Sequence, residues 1–246
     1  MIIITTKGLT KEKEVDKIYR TDQPSVFKEG AMGRNKYPEQ TQERIVDASI
    51  KLFIEKGYEQ TTIQDILDAL HLSKGGLYHH FKSKEEILEA VRKKRAQYAA
   101  DMLKELVQNT KGTNAKEKLK KILYHLVTNT KTHIFDTVLT SQASDPYFVM
   151  GALQNAVNQD APIIAQLIED GVKDGSLQTA QPKLCAEIFL MLLNFWASPM
   201  LFERNLEETQ KRLDYLQSVM CMLGVDIIDS EFIESITSGY DKTGMF

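Results

Sequence analysis

The sequence predicts an all-α protein, and three observations carry the prediction. Apolar residues recur at the i, i+3, i+4, i+7 spacing of a buried helix face through most of the chain. Residues that cap helices stand at many of the points where this periodicity starts or stops. No run alternates apolar and polar residues over a useful strand length. With 246 residues, 42% of them hydrophobic and 26% charged, the chain has the composition of a globular protein with a sizeable core.

Two predicted helices open the structured part of the chain. Pro38 suits the first turn of a helix whose apolar face lies within residues 45–53, and Gly57 is the expected stop. Thr62, with Asp65 three residues later, forms a capping-box pattern that starts a short second helix. Each of these two helices therefore has at least one end that is marked by a residue suited to that position.

A third helix follows the second after a very short connection. Ser73 caps a helix predicted over residues 74–81, and Ser83 with Glu86 three residues later starts a fourth, longer helix. Two short helices joined by a turn of about three residues form a helix-turn-helix. Many helical hairpins share this spacing, so the side chains of the third helix decide what the motif does.

The third helix has an unusual composition for a helix selected only for stability. Gly75 and Gly76 are adjacent in it, and each costs about 1 kcal/mol relative to alanine. Such a pair makes sense where the helix backbone must approach another surface closely, as in the major groove of DNA. Lys74 adds positive charge, and Tyr78 and His79 can hydrogen-bond to phosphate oxygens or pack on thymine methyl groups. These residues predict a helix that reads DNA.

The charge distribution agrees with a DNA-facing surface in the N-terminal half. The net charge of the whole chain is −3. Residues 32–95 hold 12 Lys and Arg against 10 Asp and Glu, whereas residues 96–246 hold 13 against 19. We therefore expect a phosphate-binding surface in the first of these ranges, and the second to bind phosphate poorly.

The stretch from Gly57 to Leu88 resembles the DNA-binding domain of the tetracycline-repressor-type (TetR family) transcriptional regulators. The resemblance is carried by Gly57-Tyr58, by Thr61-Thr62-Ile63-Gln64-Asp65-Ile66 and by Leu72-Ser73-Lys74-Gly75-Gly76-Leu77-Tyr78-His79-His80-Phe81-Lys82-Ser83-Lys84-Glu85-Glu86-Ile87-Leu88, and it is specific over residues 41–89. It implies a homodimer that binds a palindromic operator duplex and is released by a small-molecule effector, with repression as the expected outcome. One position departs from the family, because the turn carries His71 where a glycine is usual.

The resemblance also implies roles for single residues of the motif. Thr62 would cap the second helix and touch a phosphate, Gln64 would face the groove, and Lys84 would clamp a phosphate at the start of the fourth helix. The residue after Tyr78 varies in the family, so His79 would either set base preference or give slight pH sensitivity. The residues implied in DNA contact are Thr62, Gln64, Ser73, Lys74, Gly75, Gly76, Tyr78, His79, His80 and Lys84.

The C-terminal part predicts further helices, one of which is apolar nearly all round. That segment runs from Leu184 to Phe202, and an amphipathic helix follows from Leu206 to Leu223. A helix without a polar face must be buried on every side, which a second copy of the chain can provide. The pair resembles the family's dimeric four-helix interface, and the alternative is a central helix of a monomeric core. The predicted interface residues are Ile188, Leu192, Phe195, Leu213, Leu216 and Met220.

An effector pocket is predicted in the C-terminal part from aromatic side chains with a few polar groups among them. The same side chains also fill ordinary helical cores, so both interpretations stay open and no ligand is named. The candidate residues are His125, Phe135, Phe148, Phe189, Asn194 and Trp196.

Three segments follow from these patterns. Residues 1–31 form an N-terminal extension, with Met32 as an alternative start. Residues 32–84 form the DNA-binding domain, and residues 85–246 form the effector-binding and dimerisation domain, with the fourth helix as the link between them.

Other function classes find no support in the sequence. No nucleophile–base constellation, phosphate-binding loop or metal-ligand spacing is present, so neither an enzyme nor a cofactor or metal site is predicted. The remaining alternative is a helical module that binds protein rather than DNA. No segment predicts a membrane span or a secretory signal, and Cys185 and Cys221 lie in apolar helical patterns, which favours a reducing cytoplasm.

Overall fold

A computed structural model describes residues 38–128 and 145–242 of the chain. Within these ranges all regular structure is helical, which confirms the predicted all-α class. The described residues form two compact units, residues 38–96 and residues 97–242. The predicted extension over residues 1–31 lies outside the described residues. Of the described helices, none is long and apolar enough to cross a membrane.

Three helices and the start of a fourth form the first unit. They are α1 (Pro38–Lys56), α2 (Ile63–Leu70), α3 (Lys74–Tyr78) and α4 (Lys84–Asn109), whose C-terminal part belongs to the second unit. α1 stops where the sequence predicts, because Gly57 takes a φ of +85° and its N–H donates to the carbonyl of Phe53 at 3.0 Å. The largest fully buried side chains of this unit are Ile45, Ile50, Phe53, Ile66, Leu77, Phe81 and Ile87.

α3 is shorter than predicted, since it ends at Tyr78 rather than at Phe81. The N–H groups of His80 and Phe81 both donate to the carbonyl of Leu77, at 2.9 and 3.0 Å, and so close the helix in a turn. The turn brings Phe81 into the core, where its side chain is fully buried. The end of α3 at Tyr78 thus coincides with the entry of Phe81 into the core.

The second unit contains the C-terminal part of α4 and the remaining described helices. These are α5 (Ala115–Thr128), α6 (Pro146–Asn155), α7 (Ala161–Lys173), α8 (Pro182–Met191), α9 (Pro199–Phe202), α10 (Leu206–Met222) and α11 (Ser230–Lys242). π-helical turns over residues 156–160 and 192–196 follow α6 and α8. The core joins the buried faces of these helices and includes Leu119, Ile122, Ile168, Phe189, Leu216 and Ile236.

The apolar segment predicted as one helix from Leu184 to Phe202 is broken in the structure. α8 ends at Met191, and the chain then widens into a π-helical turn in which Ala197 N–H donates to the carbonyl of Leu192 at 2.8 Å. Pro199 starts the separate helix α9. A proline disfavours helical backbone in the residue before it, and Ser198 is accordingly extended.

Candidate nucleic-acid interface and effector region

α2 begins with a complete capping box formed by Thr62 and Asp65. Asp65 N–H donates to Thr62 Oγ1 at 3.1 Å, and Thr62 N–H donates to Asp65 Oδ2 at 2.8 Å. Lys56 Nζ lies 2.6 Å from Asp65 Oδ1. The hydrogen bonds from Lys56 and Thr62 hold the pKa of Asp65 well below its ordinary value. The start of α2 is therefore fixed by side chains at the protein surface, as the capping pattern predicts.

The turn between α2 and α3 contains a non-glycine residue with left-handed backbone. His71 has φ +53° and ψ +39°, and the following residue, Leu72, donates its N–H to the carbonyl of Leu67 at 3.0 Å. A glycine would adopt this conformation without steric cost, whereas the Cβ of a histidine crowds the backbone. His71 therefore keeps the geometry of the turn while storing some strain in it.

α3 presents one face to the core and the other to solvent. Leu77 is fully buried, and Ser73 Oγ accepts a hydrogen bond from the N–H of Gly76 at 3.1 Å to cap the helix. The side chain of Tyr78 is 48% exposed. The outward face of α3 consists of Lys74, Gly75, Tyr78 and His79, with Gly76 and His80 half-buried at its edges.

The two glycines of α3 differ in what surrounds them. A Cβ added at Gly75 would meet nothing within 4 Å, whereas one at Gly76 would lie 3.3 Å from Ser73 Oγ. The fold itself thus has no steric need for glycine at position 75, although helix stability favours alanine there. At position 76 the fold itself favours glycine, because the Cβ of a larger residue would crowd the Ser73 side chain that caps α3.

The other residues predicted to contact DNA lie nearby but are engaged within the protein. Gln64 is exposed, and its amide nitrogen donates to Asp68 Oδ1 at 2.7 Å. Lys84 is partly buried, and its ammonium group donates to backbone carbonyls between α1 and α2. The ring centroids of His79 and His80 lie 5.1 Å apart, and the two rings meet edge to face. Within the described ranges no cluster of three or more His, Cys, Asp and Glu side chains is arranged to hold a metal ion.

The residues predicted to form a dimer interface fall into two groups. Leu213, Leu216 and Met220 are buried in the core of the second unit, so they offer no surface to a partner. Leu192 and Phe195 are partly buried against the same core, and Ile188 is exposed. Helical periodicity identifies a buried face correctly but does not say whether the same chain or a second copy buries it.

An exposed apolar stripe on α8 and α10 contains one of the predicted interface residues, Ile188, and four residues that were not predicted. Leu184, Ile188 and Met191 share one face of α8 at spacings of four and three residues, with Leu184 50% exposed. Tyr215 and Met222 on α10 are 59% and 75% exposed. Leu184, Ile188 and Met191 follow an i, i+4, i+7 series in the sequence. The sequence does not distinguish this exposed face from the buried faces, because the segment is apolar on all sides.

The predicted effector residues are dispersed over the second unit. Phe189 is fully buried, Phe148 and Trp196 are half-buried and His125 is exposed, while Phe135 lies outside the described residues. Asn194 lies in the π-helical turn after α8. Both polar atoms of its side chain are buried and, within the described part of the chain, have no hydrogen-bond partner. Such a group is costly in a core unless something binds it.

A groove of about 660 Å³ opens between the start of α8 and the end of α10. Its lining includes Leu184, Ile188 and Met222 together with the two cysteines, of which Cys185 is buried and Cys221 exposed. None of the predicted effector residues that the structure describes lines this groove. Its lining combines three residues of the exposed apolar stripe with residues 178–181.

Known sequences match part of the chain, and the matched family profile lies in the first unit. Residues 45–91 match the profile of the family described as "Bacterial regulatory proteins, tetR family". The uncharacterized HTH-type transcriptional regulator YerO of Bacillus subtilis is 40% identical over 79 residues, which are 32% of this chain and 27% of YerO. The biofilm operon icaADBC HTH-type negative transcriptional regulator IcaR of Staphylococcus aureus is 47% identical over 47 residues, 19% of this chain and 25% of IcaR. The chain thus matches about a quarter of the length of these curated relatives.

Solved structures share the fold over most of the chain. A TetR/AcrR-family transcriptional regulator from Thermobifida fusca has a TM-score of 0.52 and 21% identity, covering 75% of this chain and 96% of that one. A transcriptional regulator from Cytophaga hutchinsonii has a TM-score of 0.56 and 20% identity, covering 84% and 96%. RolR in complex with resorcinol has a TM-score of 0.54 and 17% identity, covering 82% and 96%. At these identities the likeness shows a common fold.

Proposed function

We propose that the chain is a sequence-specific transcriptional repressor, because residues 45–91 match the tetR-family profile and its fold is shared with solved transcriptional regulators. The proposal is that two copies bind a palindromic operator and that a small molecule in the second unit releases them. IcaR, a relative in the DNA-binding domain, is a negative regulator, which supports repression over activation. A protein with this role would act in the cytoplasm and would need no enzymatic activity.

The observation that carries the proposal is the open space at Gly75. This glycine costs helix stability, and a Cβ at this position would meet none of the described residues within 4 Å. Any requirement for glycine at this position would therefore come from a surface other than the described residues. Duplex DNA in contact with the outward face of α3 supplies it, since a recognition helix must bring its backbone close to base edges and phosphates.

Further DNA contacts are proposed for residues on, or next to, the same outward face of α3. Lys74 is exposed at the start of α3, and Tyr78 presents a ring and a hydroxyl group that can pack on a base or bond to a phosphate. His79 adjoins Tyr78 and is the candidate for base preference. Thr62, Gln64, Ser73, Gly76 and His80 border this face and complete the proposed contact set.

We propose that the exposed stripe on α8 and α10 joins two copies of the chain. Leu184, Ile188 and Met222 line one groove between these helices, and Met191 on α8 and Tyr215 on α10 are also exposed. Apolar side chains exposed in a contiguous patch are typical of an interface. A two-fold dimer would present two α3 helices about 34–36 Å apart, the distance of one turn of DNA. The stripe replaces Leu213, Leu216 and Met220, which are buried in the core, in this role.

For the effector we propose a small molecule that hydrogen-bonds to Asn194. An amide with two buried and unpaired polar atoms is expected to gain from a ligand that supplies a donor and an acceptor. RolR, which has the same fold, binds resorcinol, a ligand with hydroxyl groups on an aromatic ring. Such a ligand would release DNA only to the extent that it binds the DNA-free state better than the DNA-bound state.

The experiment that tests the function is selection of the purified full-length chain against a random pool of duplexes, followed by fluorescence anisotropy at fixed salt. The proposal expects an inverted repeat whose half-sites lie about one helical turn apart, bound with a Kd of about 10⁻⁸–10⁻¹¹ M. A pool without any enriched sequence, together with weak binding of every duplex, would contradict it. That result would favour a helical module that binds protein.

A further inference from the structure

We propose that Arg204 and Arg212 form a binding site for a small aromatic carboxylate at the junction of α9 and α10. The two guanidinium groups hold the carboxylate, and the aromatic side chains beside them hold the ring. The inference goes beyond the proposed operator binding, and the experiment that tests it involves no DNA.

The two arginines come together at Trp196. Arg204 lies in the short connection between α9 and α10, and Arg212 lies in the first half of α10. The Nη1 of Arg204 donates to the carbonyl of Trp196, and the guanidinium carbon of Arg212 lies 5.8 Å from the centroid of the Trp196 ring. Both charged groups therefore contact one residue of the π-helical turn that follows α8.

The positive charges of Arg204 and Arg212 repel each other. Burial, followed by the charge of Arg212, lowers the pKa of Arg204, while the carboxylate of Glu208 acts in the opposite sense. That carboxylate already accepts a hydrogen bond from the N–H of Asn205 in the capping box of α10. Among the described residues, no carboxylate forms an ion pair with either arginine. An anion between the two guanidinium groups would therefore offset a repulsion that the described chain leaves in place.

The two guanidinium groups also have unused hydrogen-bond donors. Each group carries five N–H donors and no acceptor. Arg204 donates to the Trp196 carbonyl, and the Nη1 of Arg212 donates to the carbonyl of Glu208 at 2.8 Å. The Nε of Arg212 is buried and has no partner within the described part of the chain. Most of the donors thus remain for a ligand, and their planar fork matches the two oxygens of a carboxylate.

Aromatic surface lies beside these donors. The guanidinium carbon of Arg204 lies 4.2 Å from the centroid of the Phe202 ring, yet Phe202 is still 53% exposed. The ring centroids of Trp196 and Tyr215 lie 6.1 Å apart, and Tyr215 is 59% exposed. Contact with a ring restricts the conformations of each guanidinium and keeps it in place for a ligand. The ring of an aromatic carboxylate can pack on the exposed aromatic surface while its oxygens accept from the arginines.

The test uses the fluorescence of Trp196, which is the single tryptophan of the sequence and so reports on this site alone. The full-length chain is titrated with benzoate, with its neutral analogue benzamide and with acetate, which lacks the ring. Excitation is set where benzoate does not absorb, and calorimetry measures each affinity independently. We expect a saturable change with benzoate and affinities about tenfold or more weaker for benzamide and acetate. Absence of a saturable response to benzoate, or equal affinity for either control compound, would overturn the inference.

The matched variants are Arg212→Gln and Lys211→Gln, which remove the same charge from neighbouring residues of α10. Lys211 is exposed, and its Nζ is paired with Glu207 Oε1 at 2.6 Å. We expect Arg212→Gln to weaken benzoate binding about tenfold or more and Lys211→Gln to leave it within about twofold of wild type. Equal effects of the two substitutions would overturn the inference. Where Arg212→Gln does not fold, Arg212→Lys replaces it, because an ammonium group keeps the charge without the planar fork, and wild-type affinity for benzoate in Arg212→Lys would overturn the inference.

Sedimentation without benzoate distinguishes a free carboxylate from a carboxylate of a second copy of the chain. We expect wild type and Arg212→Gln to self-associate with dissociation constants within about twofold of each other, because the arginines bind a small molecule. Self-association weakened about tenfold or more in Arg212→Gln would assign the arginines to an interface between copies and overturn the inference. Since no measurement here contains DNA, failure of this inference and failure of the proposed operator binding are separate results.

Discussion

The carbonyl oxygen of Gln178 occupies the space that a side chain at Gly224 would need. A Cβ added at Gly224 would come within 1.7 Å of this oxygen, and the Gln178 N–H donates to the Gly224 carbonyl at 2.9 Å. Gly224 also has a φ of +76°. The end of α10 therefore needs glycine for two separate reasons, a left-handed backbone and the close approach of another chain segment.

The first prediction separates these two reasons. Gly175 has a φ of +79°, and a Cβ there would meet nothing within 4 Å, so Gly175→Ala tests the backbone conformation alone. We expect Gly175→Ala to lower the free energy of unfolding by about 1 kcal/mol. Gly224→Ala should lower it by about 3 kcal/mol or more, because the segment around Gln178 must move. Equal losses in urea unfolding would show that the close approach has no energetic weight.

The second prediction concerns the strained turn of the helix-turn-helix. His71→Gly should raise the free energy of unfolding by about 0.5–1 kcal/mol, because glycine adopts a φ of +53° without steric cost. His71→Val should lower it by about 1–2 kcal/mol, since a β-branched side chain tolerates this region least. Thermal and urea unfolding of the pair would measure both effects. A loss of stability in His71→Gly would mean that the histidine side chain contributes more than the strain costs.

The third prediction uses two asparagines with opposite surroundings. Asn194→Leu should raise the free energy of unfolding by about 1 kcal/mol, because it removes two buried polar atoms that have no partner within the described residues. Asn205→Ala should lower it by about 1 kcal/mol, because the Asn205 side chain accepts from Glu208 N–H at 2.9 Å and caps α10. If an effector binds Asn194, the stabilised Asn194→Leu variant should also lose its response to that effector. A loss of stability in Asn194→Leu would indicate that its amide is satisfied.

The fourth prediction is a loss of stability at alkaline pH. Burial, with a smaller contribution from Glu85, raises the pKa of Tyr58 from 10.0 to about 12. The folded state therefore keeps this proton to higher pH than the unfolded chain does. The stabilisation is fully present below pH 10 and declines as the pH rises from about 10 to about 12. Wild type should lose stability relative to Tyr58→Phe across this window in urea unfolding, and parallel curves for the two proteins would contradict the assignment.

The sequence predicts those features that depend on a few neighbouring residues. Gly57 and the Thr62–Asp65 capping box each mark a helix end that the structure confirms. These signals are reliable because a cap or a left-handed residue acts within one turn of helix. The helix-turn-helix and the all-α class follow from them directly.

The features that depend on distant residues could not be predicted from local patterns. α3 stops early because Phe81 enters a core built by other helices. Leu213, Leu216 and Met220 form an apolar face, but only the folded unit shows that its own core covers them. Lys84 donates to carbonyl oxygens that lie 23 to 26 residues away along the chain, and no local pattern in the sequence indicates these partners.

The most direct test of the central claim, that the outward face of α3 contacts operator DNA, is the affinity of Gly75→Ala for the selected duplex. The variant adds one methyl group to open space, so its free energy of unfolding should equal or exceed that of wild type. Gly151→Ala is the control, because a Cβ there also meets nothing within 4 Å and α6 belongs to the other unit. We predict that Gly75→Ala loses affinity at least tenfold in fluorescence anisotropy while Gly151→Ala keeps it. Wild-type affinity in a stably folded Gly75→Ala protein would contradict the account.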